Sequence, residues 1–532
     1  MKVRFAPSPT GNVHIGNMRV AIFNWLFARH HGGEFILRVE DTDLERSTAE
    51  AIDKMKSAMN WLGLNYDGEP LYQTARRPAH AAAAQKMLAA GVAYQRDAQS
   101  PVVLRIGKEL FAPNFVSEPR DAATIDYQTG VLAANRATIF HTVVSPKSGE
   151  EFITPVNWDT LAAPRFLLAN GEEIDALPTR EKCGDATVAL AEMVAGKIVA
   201  LKFRRRYVFF DDLVLGRCEK PLDSIRDFAI ARSDGSPIFH LANVADDIFQ
   251  GVTHVLRGND HVENTFRHLF LFQALGAPPP VYGHFPMIVN QSGKPYSKRD
   301  GDAYVGDFQT QGFLPDALFN FLALCGWAPG DDREIMSRDE MVKAFSLDRV
   351  SKSAAQFDRA KLNWLNRQYL LKLSDDDFIA ALKAEAAGFA PELHDDNWWQ
   401  VLAATQRERL DKIGDFMPRC RYFFAGDFAF DQKAVKKNLQ NNDGAGRRVL
   451  ADLAEIFRDL PEWEIAPLAA AAHRYAEEHP VNDAPLPLNA VAQPLRVACT
   501  GAAVSPGIGE TLFLLGRAET LKRIERALKE QS

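Results

Sequence analysis

The start of the chain constrains the fold most, because a short apolar strand there must stop abruptly and give way to a helix. Residues 3–6 favour an extended segment, and Pro7 ends it because proline cannot donate to a sheet ladder. From Ile15 onward, apolar residues recur at helical spacing. His14 and Gly16 therefore lie at a strand-to-helix turn. Unpaired backbone N–H groups and the positive end of the helix favour a phosphate at such a turn. The other interpretation is a helix-capping turn with an incidental histidine.

A second strand and a group of acidic residues follow. Residues 35–39 favour a strand, and three acids from Glu40 to Asp43 come directly after it. Open α/β sheets bind ligands at the carboxyl ends of their strands, so these acids are either ligand-binding groups or a solvated turn. Ser47 begins a capping-box pattern that predicts a helix reaching about residue 62.

A cationic run lies far downstream. It reads Gly293-Lys-Pro-Tyr-Ser-Lys-Arg-Asp-Gly301. One interpretation is an ordinary charged turn. The other is a loop over a triphosphate, in which Lys298 and Arg299 stabilise the charge that builds on the α-phosphate and on the leaving pyrophosphate.

Both runs resemble the nucleotide-binding elements of one enzyme family. The run from Pro7 to Asn17 is similar to the His-Ile-Gly-His element of class I aminoacyl-tRNA synthetases, and residues 293–301 are similar to their Lys-Met-Ser-Lys-Ser loop. Further segments narrow the resemblance to the bacterial-type glutamyl-tRNA synthetases. They are residues 24–33, 38–43, 209–214, 232–237, 240–247, 251–261, 325–332, 350–353, 494–501 and 505–507. The resemblance is thin only over about residues 95–202.

The resemblance implies an α/β fold class. We expect a Rossmann-type nucleotide-binding catalytic domain with a mixed α/β insertion, followed by helical stem-contact and all-α anticodon-binding domains. The implied divisions are residues 1–94 for the first half of the catalytic domain, 95–208 for an insertion that binds the acceptor end of tRNA, 209–301 for the second half, 302–369 for the stem-contact domain and 370–532 for the helical anticodon-binding region. Three prolines between positions 485 and 494 predict a hinge before the last helical unit.

The resemblance also implies a reaction and its residues. Glutamate would attack the α-phosphate of ATP with Mg²⁺ present, and the terminal adenosine of tRNA(Glu) would then attack the acyl carbon; positioning and charge neutralisation suffice for this chemistry. The implied sites are His14, Lys298 and Arg299 for catalysis, these three and Gly16 for ATP, Arg4, Ser8, Glu40, Phe239, Asn243 and Arg257 for glutamate, and Asp43 with Arg46 for the tRNA end. Arginine suits the two carboxylates because its fork pairs bidentately with them. A structural ion pair is the other interpretation of Arg4 and Arg257.

Three departures from the family pattern bear on activity. Phe239 stands where the family normally has tyrosine, which removes a hydrogen bond worth about 1 kcal/mol. Pro295 and Tyr296 replace the usual lysine and leucine or methionine of the cationic loop. Residues 95–99 contain no cysteine, although many relatives carry a zinc knuckle near this position.

Composition agrees with a large soluble enzyme. A chain of 532 residues is too long to fold around one hydrophobic core, and this length predicts about three to five domains. It contains no apolar run that would cross a bilayer and no signal segment, and its five scattered cysteines favour a reducing cytoplasm without a structural zinc site. The net charge of −7 means that RNA must meet local basic faces. The candidates are residues 202–206, residues 436–437 with 447–448, and Arg517 with Lys522, Arg523 and Arg526. We expect a monomer that binds glutamate, ATP and tRNA(Glu).

Three hypotheses about function remain open. The first is a glutamyl-tRNA synthetase. The second is a catalytically weakened paralogue that binds tRNA or nucleotide, and it rests on Phe239 and Pro295. The third is a truncated relative that glutamylates a modified base in tRNA; the helical residues after 370 count against it. The same helical composition disfavours glutaminyl-tRNA synthetases, whose C-terminal part is β-barrel. The sequence leaves open whether tRNA(Gln) is also charged.

Overall fold

The chain forms two compact units. The computed structural model describes residues 1–9, 11–42, 47–126, 140–144, 151–155, 157–176, 198–480 and 485–530. Unit 1 comprises Met1–Val305 and Leu322–Phe357, and unit 2 comprises Gly306–Phe321 and Asp358–Ser532. Within the described part of the chain, no helix is both long enough and apolar enough to span a membrane.

The strands lie in unit 1. They are β1 (Lys2–Phe5), β2 (Glu34–Val39), β3 (Leu71–Tyr72), β4 (Ala93–Tyr94), β5 (Val102–Leu104), β6 (Asp121–Asp126), β7 (Phe140–Val144), β8 (Glu151–Pro155), β9 (Leu161–Leu168), β10 (Glu173–Asp175), β11 (Ile198–Arg205), β12 (Tyr207–Asp212), β13 (Gly216–Pro221), β14 (Phe228–Ala231), β15 (His254–Gly258), β16 (Val281–Phe285), β17 (Ile288–Val289) and β18 (Ala355–Gln356).

The helices follow in chain order. They are α1 (Ile15–His30), α2 (Ala49–Trp61), α3 (Arg77–Ala89), α4 (Phe239–Gln250), α5 (Val262–Leu275), α6 (Val305–Thr310), α7 (Pro315–Leu324), α8 (Arg338–Ala344), α9 (Arg359–Lys372), α10 (Asp375–Glu385), α11 (Asp396–Gln406), α12 (Phe416–Phe424), α13 (Gln432–Val435), α14 (Asn441–Asp459), α15 (Ile465–Glu478), α16 (Leu488–Thr500) and α17 (Ile508–Glu530).

A parallel sheet forms the centre of unit 1. β1 pairs in parallel with β2, and β2 with β3. β15, β16 and β12 continue in parallel, and β13 closes that edge antiparallel to β12. The two sets of strands meet where Thr253, just before β15, donates its N–H to the carbonyl oxygen of Lys2 at 3.0 Å. Helix α1 connects β1 to β2 as a parallel crossover requires, and the predicted Rossmann-type catalytic fold is confirmed.

Helix α1 is buried on most sides because it packs against the sheet and the segments around it. Ile15, Met18, Ile22 and Leu26 are fully buried, as the helical spacing of apolar residues predicts. The next helix, α2, differs from the prediction in its cap. Thr48, not Ser47, is the N-cap, and its Oγ1 accepts a hydrogen bond from Ala51 N–H.

The first part of the region grouped as an insertion packs with the parallel sheet. β5 pairs with β4 and with β14. Leu104 and Phe115 belong to the same buried cluster as Val208 and Leu241. The other strands of this region form a separate antiparallel sheet in the order β10-β9-β11-β6, and β7 pairs with β8.

Unit 2 is helical, and its described residues include buried apolar clusters. One lies around Trp399 and Phe416, and another lies around Leu450 and Leu495. Polar residues cap several of its helices; Asp395, for example, accepts a hydrogen bond from Trp398 N–H at 2.8 Å at the start of α11. The predicted hinge at residues 485–494 is wrong at its end, because α16 begins at Leu488 and continues through Pro494.

Candidate active site

A cavity of about 410 Å³ lies outside the carboxyl ends of β1, β2, β15 and β16, where open α/β sheets bind ligands. Its lining includes eight residues that were singled out from the sequence. They are Arg4, Ser8, His14, Gly16, Glu40, Phe239, Asn243 and Arg257. Lys298 and Arg299 do not line it, although Pro295 and Tyr296 of the same run do. Asp43 and Arg46 lie outside the described residues.

His14 caps the helix that opens the site. Its Nδ1 accepts a hydrogen bond from Gly16 N–H at 3.0 Å, so the neutral ring carries its proton on Nε2. Burial lowers the pKa of His14, opposed by a hydrogen bond with the backbone of Tyr296. A Cβ at Gly16 would lie 3.2 Å from His14 Nδ1, so a larger residue would press on the imidazole.

The cationic run lies beside this helix start. His14 forms an isolated bridge with Tyr304, and Ile15 N–H donates to the carbonyl of Ala303 at 2.9 Å. The two nucleotide-binding elements, nearly 300 residues apart in sequence, are therefore neighbours within unit 1. Lys298 Nζ lies 5.8 Å from the centre of the Tyr304 ring.

The turn that carries the two cations is shaped by polar contacts. Asp300 accepts hydrogen bonds from the Ser297 N–H and hydroxyl, both at 2.9 Å, and from Asn290 Nδ2 at 2.7 Å. Lys298 and Arg299 are exposed. Over the ranges that the structure describes, neither has a carboxylate within ion-pair distance, so their charges face solvent.

Arg4 is held by a buried carboxylate. Its Nε donates to Asp247 Oδ1 at 3.1 Å, and Arg38 Nη1 donates to the same oxygen at 2.5 Å. Burial alone would raise the pKa of the Asp247 carboxyl, but Arg38 and Arg4 hold that pKa below its usual range. Asp247 therefore compensates two guanidinium groups and fixes Arg4 at the cavity wall.

Glu40 is the buried acid of the cavity. Asn243 Nδ2 donates to its Oε1 at 2.7 Å, and Arg38 Nη2 lies 3.6 Å from the same oxygen. Burial raises the pKa of Glu40 despite the opposing charges of Arg38 and Arg4. The Glu40 N–H donates to the Pro7 carbonyl at 3.0 Å, which joins the two strand ends that flank the cavity.

Arg257 has no carboxylate partner among the residues that the structure describes. Its side chain is 6 % exposed. Nε donates to His284 Nε2 at 3.2 Å, and Nη2 donates to Thr265 Oγ1 at 2.6 Å and to the His261 carbonyl at 3.3 Å. Burial lowers its pKa to about 10, which leaves the guanidinium charged at neutral pH. A buried, charged and unneutralised arginine at a cavity wall favours an anionic ligand.

Aromatic and imidazole rings form another part of the wall. Phe239 is the first residue of α4 and stacks on His261 with ring centres 6.0 Å apart. Burial lowers the pKa values of His261 and of neighbouring His240 to about 4, so both rings are neutral at pH 7. Phe239 itself is half-buried and lines the cavity, so its ring does not belong only to the core.

Sequence reasoning missed Arg19, which also lines the cavity. It is 3 % exposed and donates to the carbonyls of Cys325 and Pro286. An arginine among the buried positions of an apolar helix is the signal that marks it. No cluster of three or more His, Cys, Asp or Glu side chains suited to a metal ion occurs among the described residues.

Two sequence profiles match the chain. The profile for the catalytic domain of class I tRNA synthetases (E and Q) matches residues 1–112 and 194–364. The anticodon-binding-domain profile matches residues 368–528.

Proteins that are similar to this chain over nearly its full length are named for the same activity. Glutamate–tRNA ligase 2 of Halorhodospira halophila is 32 % identical over 99 % of this chain and 98 % of its own length. Glutamate–tRNA ligase of Francisella philomiragia is 34 % identical over the same shares of the two chains.

A solved structure agrees with these relatives. The glutamate tRNA ligase from Elizabethkingia meningosepticum, crystallised in complex with its amino acid, superposes with a TM-score of 0.71 at 25 % identity over the full length of both chains. The relatives and the solved structure cover nearly the whole chain and the two profiles cover most of it, and the chain belongs to the glutamate–tRNA ligase family of the class I aminoacyl-tRNA synthetases.

Proposed function

We propose that this protein is a glutamate–tRNA ligase that joins glutamate to the 3′-terminal adenosine of tRNA(Glu) with consumption of ATP. The observation that carries the proposal is Arg257, a buried guanidinium at the cavity wall whose hydrogen-bond acceptors are all neutral. Such a group is best satisfied by the carboxylate of a ligand.

The other charged groups of the cavity suit the rest of a glutamate molecule. Arg4 lines the cavity while its Nε holds Asp247, and we assign it to the second substrate carboxylate. Glu40 and Ser8 line the same cavity and suit the α-ammonium group, and Asn243 orients Glu40. The wall therefore offers positive groups for two carboxylates and a negative group for the amine.

ATP is assigned to the end of the cavity where α1 begins. His14 and Gly16 supply a helix start for phosphate oxygens. Lys298 and Arg299 do not line the cavity, but Tyr296 of the same run does. The exposed charges of Lys298 and Arg299 suit the β- and γ-phosphates of ATP. Mg²⁺ would arrive with ATP as part of the substrate and would neutralise part of the phosphate charge.

The reaction then needs no protein nucleophile. A carboxylate oxygen of glutamate bonds to the α-phosphorus, and the bond from that phosphorus to the pyrophosphate oxygen breaks. A hydroxyl of the terminal adenosine next bonds to the acyl carbon, AMP leaves with the electrons of the acyl–oxygen bond, and the hydroxyl proton passes to solvent. Arg257 and Arg4 position the attacking group, and Lys298 and Arg299 stabilise the leaving pyrophosphate.

The match to an anticodon-binding profile over residues 368–528 supports tRNA(Glu) as the second substrate. Asp43 and Arg46 are assigned to its terminal nucleotides by family resemblance alone. The scattered cysteines and the family support a cytoplasmic monomer.

An aminoacylation assay tests the proposal. Purified protein with labelled glutamate, ATP and Mg²⁺ should charge tRNA(Glu), and the same tRNA without its terminal adenosine is the control that should stay uncharged. Parallel reactions with tRNA(Gln) define the tRNA range, and pyrophosphate exchange should require tRNA. Folded protein that charges no tRNA would contradict the proposal and favour the weakened paralogue.

A further inference from the structure

The hydrogen bonds that hold Arg257 differ from those that hold Arg4. Arg4 touches a carboxylate directly, whereas Arg257 donates to an imidazole nitrogen, a hydroxyl and a backbone carbonyl. Neutral acceptors fix the direction of a guanidinium without cancelling its charge, because a carboxylate in contact would already satisfy the cation.

The imidazole is that of His284, which is fully buried. Its Nδ1 lies 2.6 Å from Asp212 Oδ2, and its Nε2 faces Arg257. Asp212 Oδ1 accepts from the backbone N–H groups of His284, Val214 and Leu215 at 2.8–3.1 Å, so its orientation is fixed. Asp212 can only accept when ionised, so the proton of His284 stays on Nδ1 and Nε2 remains an acceptor.

Thr265 completes a closed set of three contacts. Its hydroxyl accepts from Arg257 Nη2 at 2.6 Å and lies 3.0 Å from His284 Nε2, to which it can donate. The hydroxyl also lies 3.4 Å from the His261 carbonyl, so its single proton can be donated either to that carbonyl or to His284 Nε2. Among the described residues, these contacts use the Nε and Nη2 groups of Arg257, and the Nη1 group is left to face the cavity.

The fold imposes this arrangement. Arg257 on β15 and His284 on β16 are register partners in the parallel pair, and Asp212 ends β12, the next strand. Thr265 lies in the first turns of α5. Three other elements, β16, β12 and α5, thus supply the groups that lie behind the guanidinium of Arg257.

We propose that His284 and Thr265 are positioning residues that aim the uncancelled charge of Arg257 at the substrate carboxylate, and that Asp212 locks His284 in the tautomer this requires. The inference rests on the proposed function, because it takes Arg257 as a glutamate-binding group. It adds three residues that do not touch the substrate to the determinants of glutamate recognition.

Thr265→Val tests the proposal most directly, because it keeps the shape and removes the acceptor. Loss of one hydrogen bond to a charged group should raise the KM for glutamate about tenfold to a hundredfold, with kcat at saturating glutamate and the KM for ATP within about twofold of the parent. Thr265→Ser keeps the hydroxyl and should restore the parent KM.

Asp212→Asn should also raise the glutamate KM, because His284 can then place its proton on Nε2.

A double-mutant cycle separates positioning from general damage. In an Arg257→Lys background, which lacks the Nε and Nη2 donors, Thr265→Val should add less than about twofold to the glutamate KM. A full additional effect there, an equal rise in the ATP KM, or an unchanged glutamate KM in Thr265→Val would each overturn the inference. A parent protein that fails to charge tRNA would instead overturn the proposed function itself.

Discussion

At the scale of single residues, two arginines face one cavity but differ in what neutralises them. Arg4 shares Asp247 with Arg38, whereas Arg257 has only neutral acceptors. The sequence named both arginines as glutamate-binding groups with a structural ion pair as the alternative. In the structure both arginines line the cavity. Arg4 also forms an ion pair with Asp247, whereas Arg257 has no carboxylate partner among the described residues.

Arg257→Ala should abolish the use of glutamate and leave ATP binding largely intact. Removing one partner of a buried charge pair with the substrate costs roughly 2–5 kcal/mol, which appears in kcat/KM for glutamate. The measurement is kcat/KM for glutamate beside equilibrium binding of ATP, with the exposed Arg226→Ala as matched control. If the variant keeps nearly the parent kcat/KM, Arg257 does not bind the substrate.

Phe239→Tyr should change the KM for glutamate without lowering stability, because the ring lines the cavity and the new hydroxyl can reach ligand or water. Phe270→Tyr is the matched control, since Phe270 is fully buried; its unsatisfied hydroxyl should cost roughly 1–3 kcal/mol and leave the KM alone. KM and the denaturation midpoint are measured for both variants. An unchanged KM with a lowered midpoint for Phe239→Tyr would show that this ring belongs to the core.

Sequence reasoning found the residues at the cavity wall but not those behind them. Ser8, Glu40 and Asn243 follow from motifs. Asp247, in contrast, reaches Arg4 from helix α4, and His284 reaches Arg257 through the register of β15 with β16. A histidine inside the apolar strand Val281–Phe285 was the available signal. The motif match alone gives no reason to assign this histidine a role in the site.

At the scale of secondary-structure elements, the ends of helices were harder to predict than their faces. The apolar face of α1 is buried as expected, but α2 begins one residue later than the capping box indicates, because Thr48 rather than Ser47 caps it. Adjacent serine and threonine offer two caps, and packing chooses between them.

Helix α16 shows tertiary packing overriding a local signal. Pro494 lies inside it and cannot donate to the carbonyl four residues earlier. Pro494 is buried in unit 2, and a Cβ at Gly446 would lie 3.1 Å from its ring. The close packing offsets the missing hydrogen bond, which the proline spacing alone could not reveal.

Gly312→Ala should lower the thermal midpoint of the chain. Gly312 has φ +76° and caps the turn after α6, where Phe313 N–H donates to the Phe308 carbonyl. A left-handed alanine costs about 1–2 kcal/mol, and its Cβ would overlap the Gly414 backbone. Gly388→Ala is the control, since nothing lies within 4 Å of its Cβ and its φ is not positive.

The thermal midpoints of the two glycine variants decide this prediction, with the glutamate KM as a check that the active site is intact. A Gly312→Ala midpoint equal to that of Gly388→Ala would show that the close approach of residues 312 and 414 does not matter for stability.

At the scale of the whole molecule, the fold was predictable where the sequence carries recognisable motifs. The catalytic-domain profile skips residues 113–193, and the resemblance was thin over about the same stretch. The division into five segments remains a prediction: residues 93–116 pack with the parallel sheet, and residues 302–369 are shared between the two units. Sequence motifs identify a domain, but only contacts define where its core ends.

The candidate basic faces illustrate the same limit. Arg523 is 3 % exposed, pairs with Glu519 and donates to the Cys499 carbonyl, so it supports the helical core instead of presenting charge to RNA. Lys202 and Arg205 pair with Glu173 and Asp223. Counting cations along the sequence cannot distinguish a structural arginine from one that meets a phosphate.

The last prediction concerns metal in the whole chain: we expect no structural zinc. Tetrahedral zinc sites take four Cys or His ligands, commonly as closely spaced pairs, and the five cysteines at positions 183, 218, 325, 420 and 499 are far apart in sequence. Metal analysis after dialysis against a mild chelator should give far less than one zinc per chain. Because a structural metal contributes its binding energy to folding, the thermal midpoint should also be unchanged by the chelator. Stoichiometric zinc, or a midpoint that falls on chelation and recovers with added zinc, would contradict the prediction and place ligands in a part of the chain that its sequence does not mark.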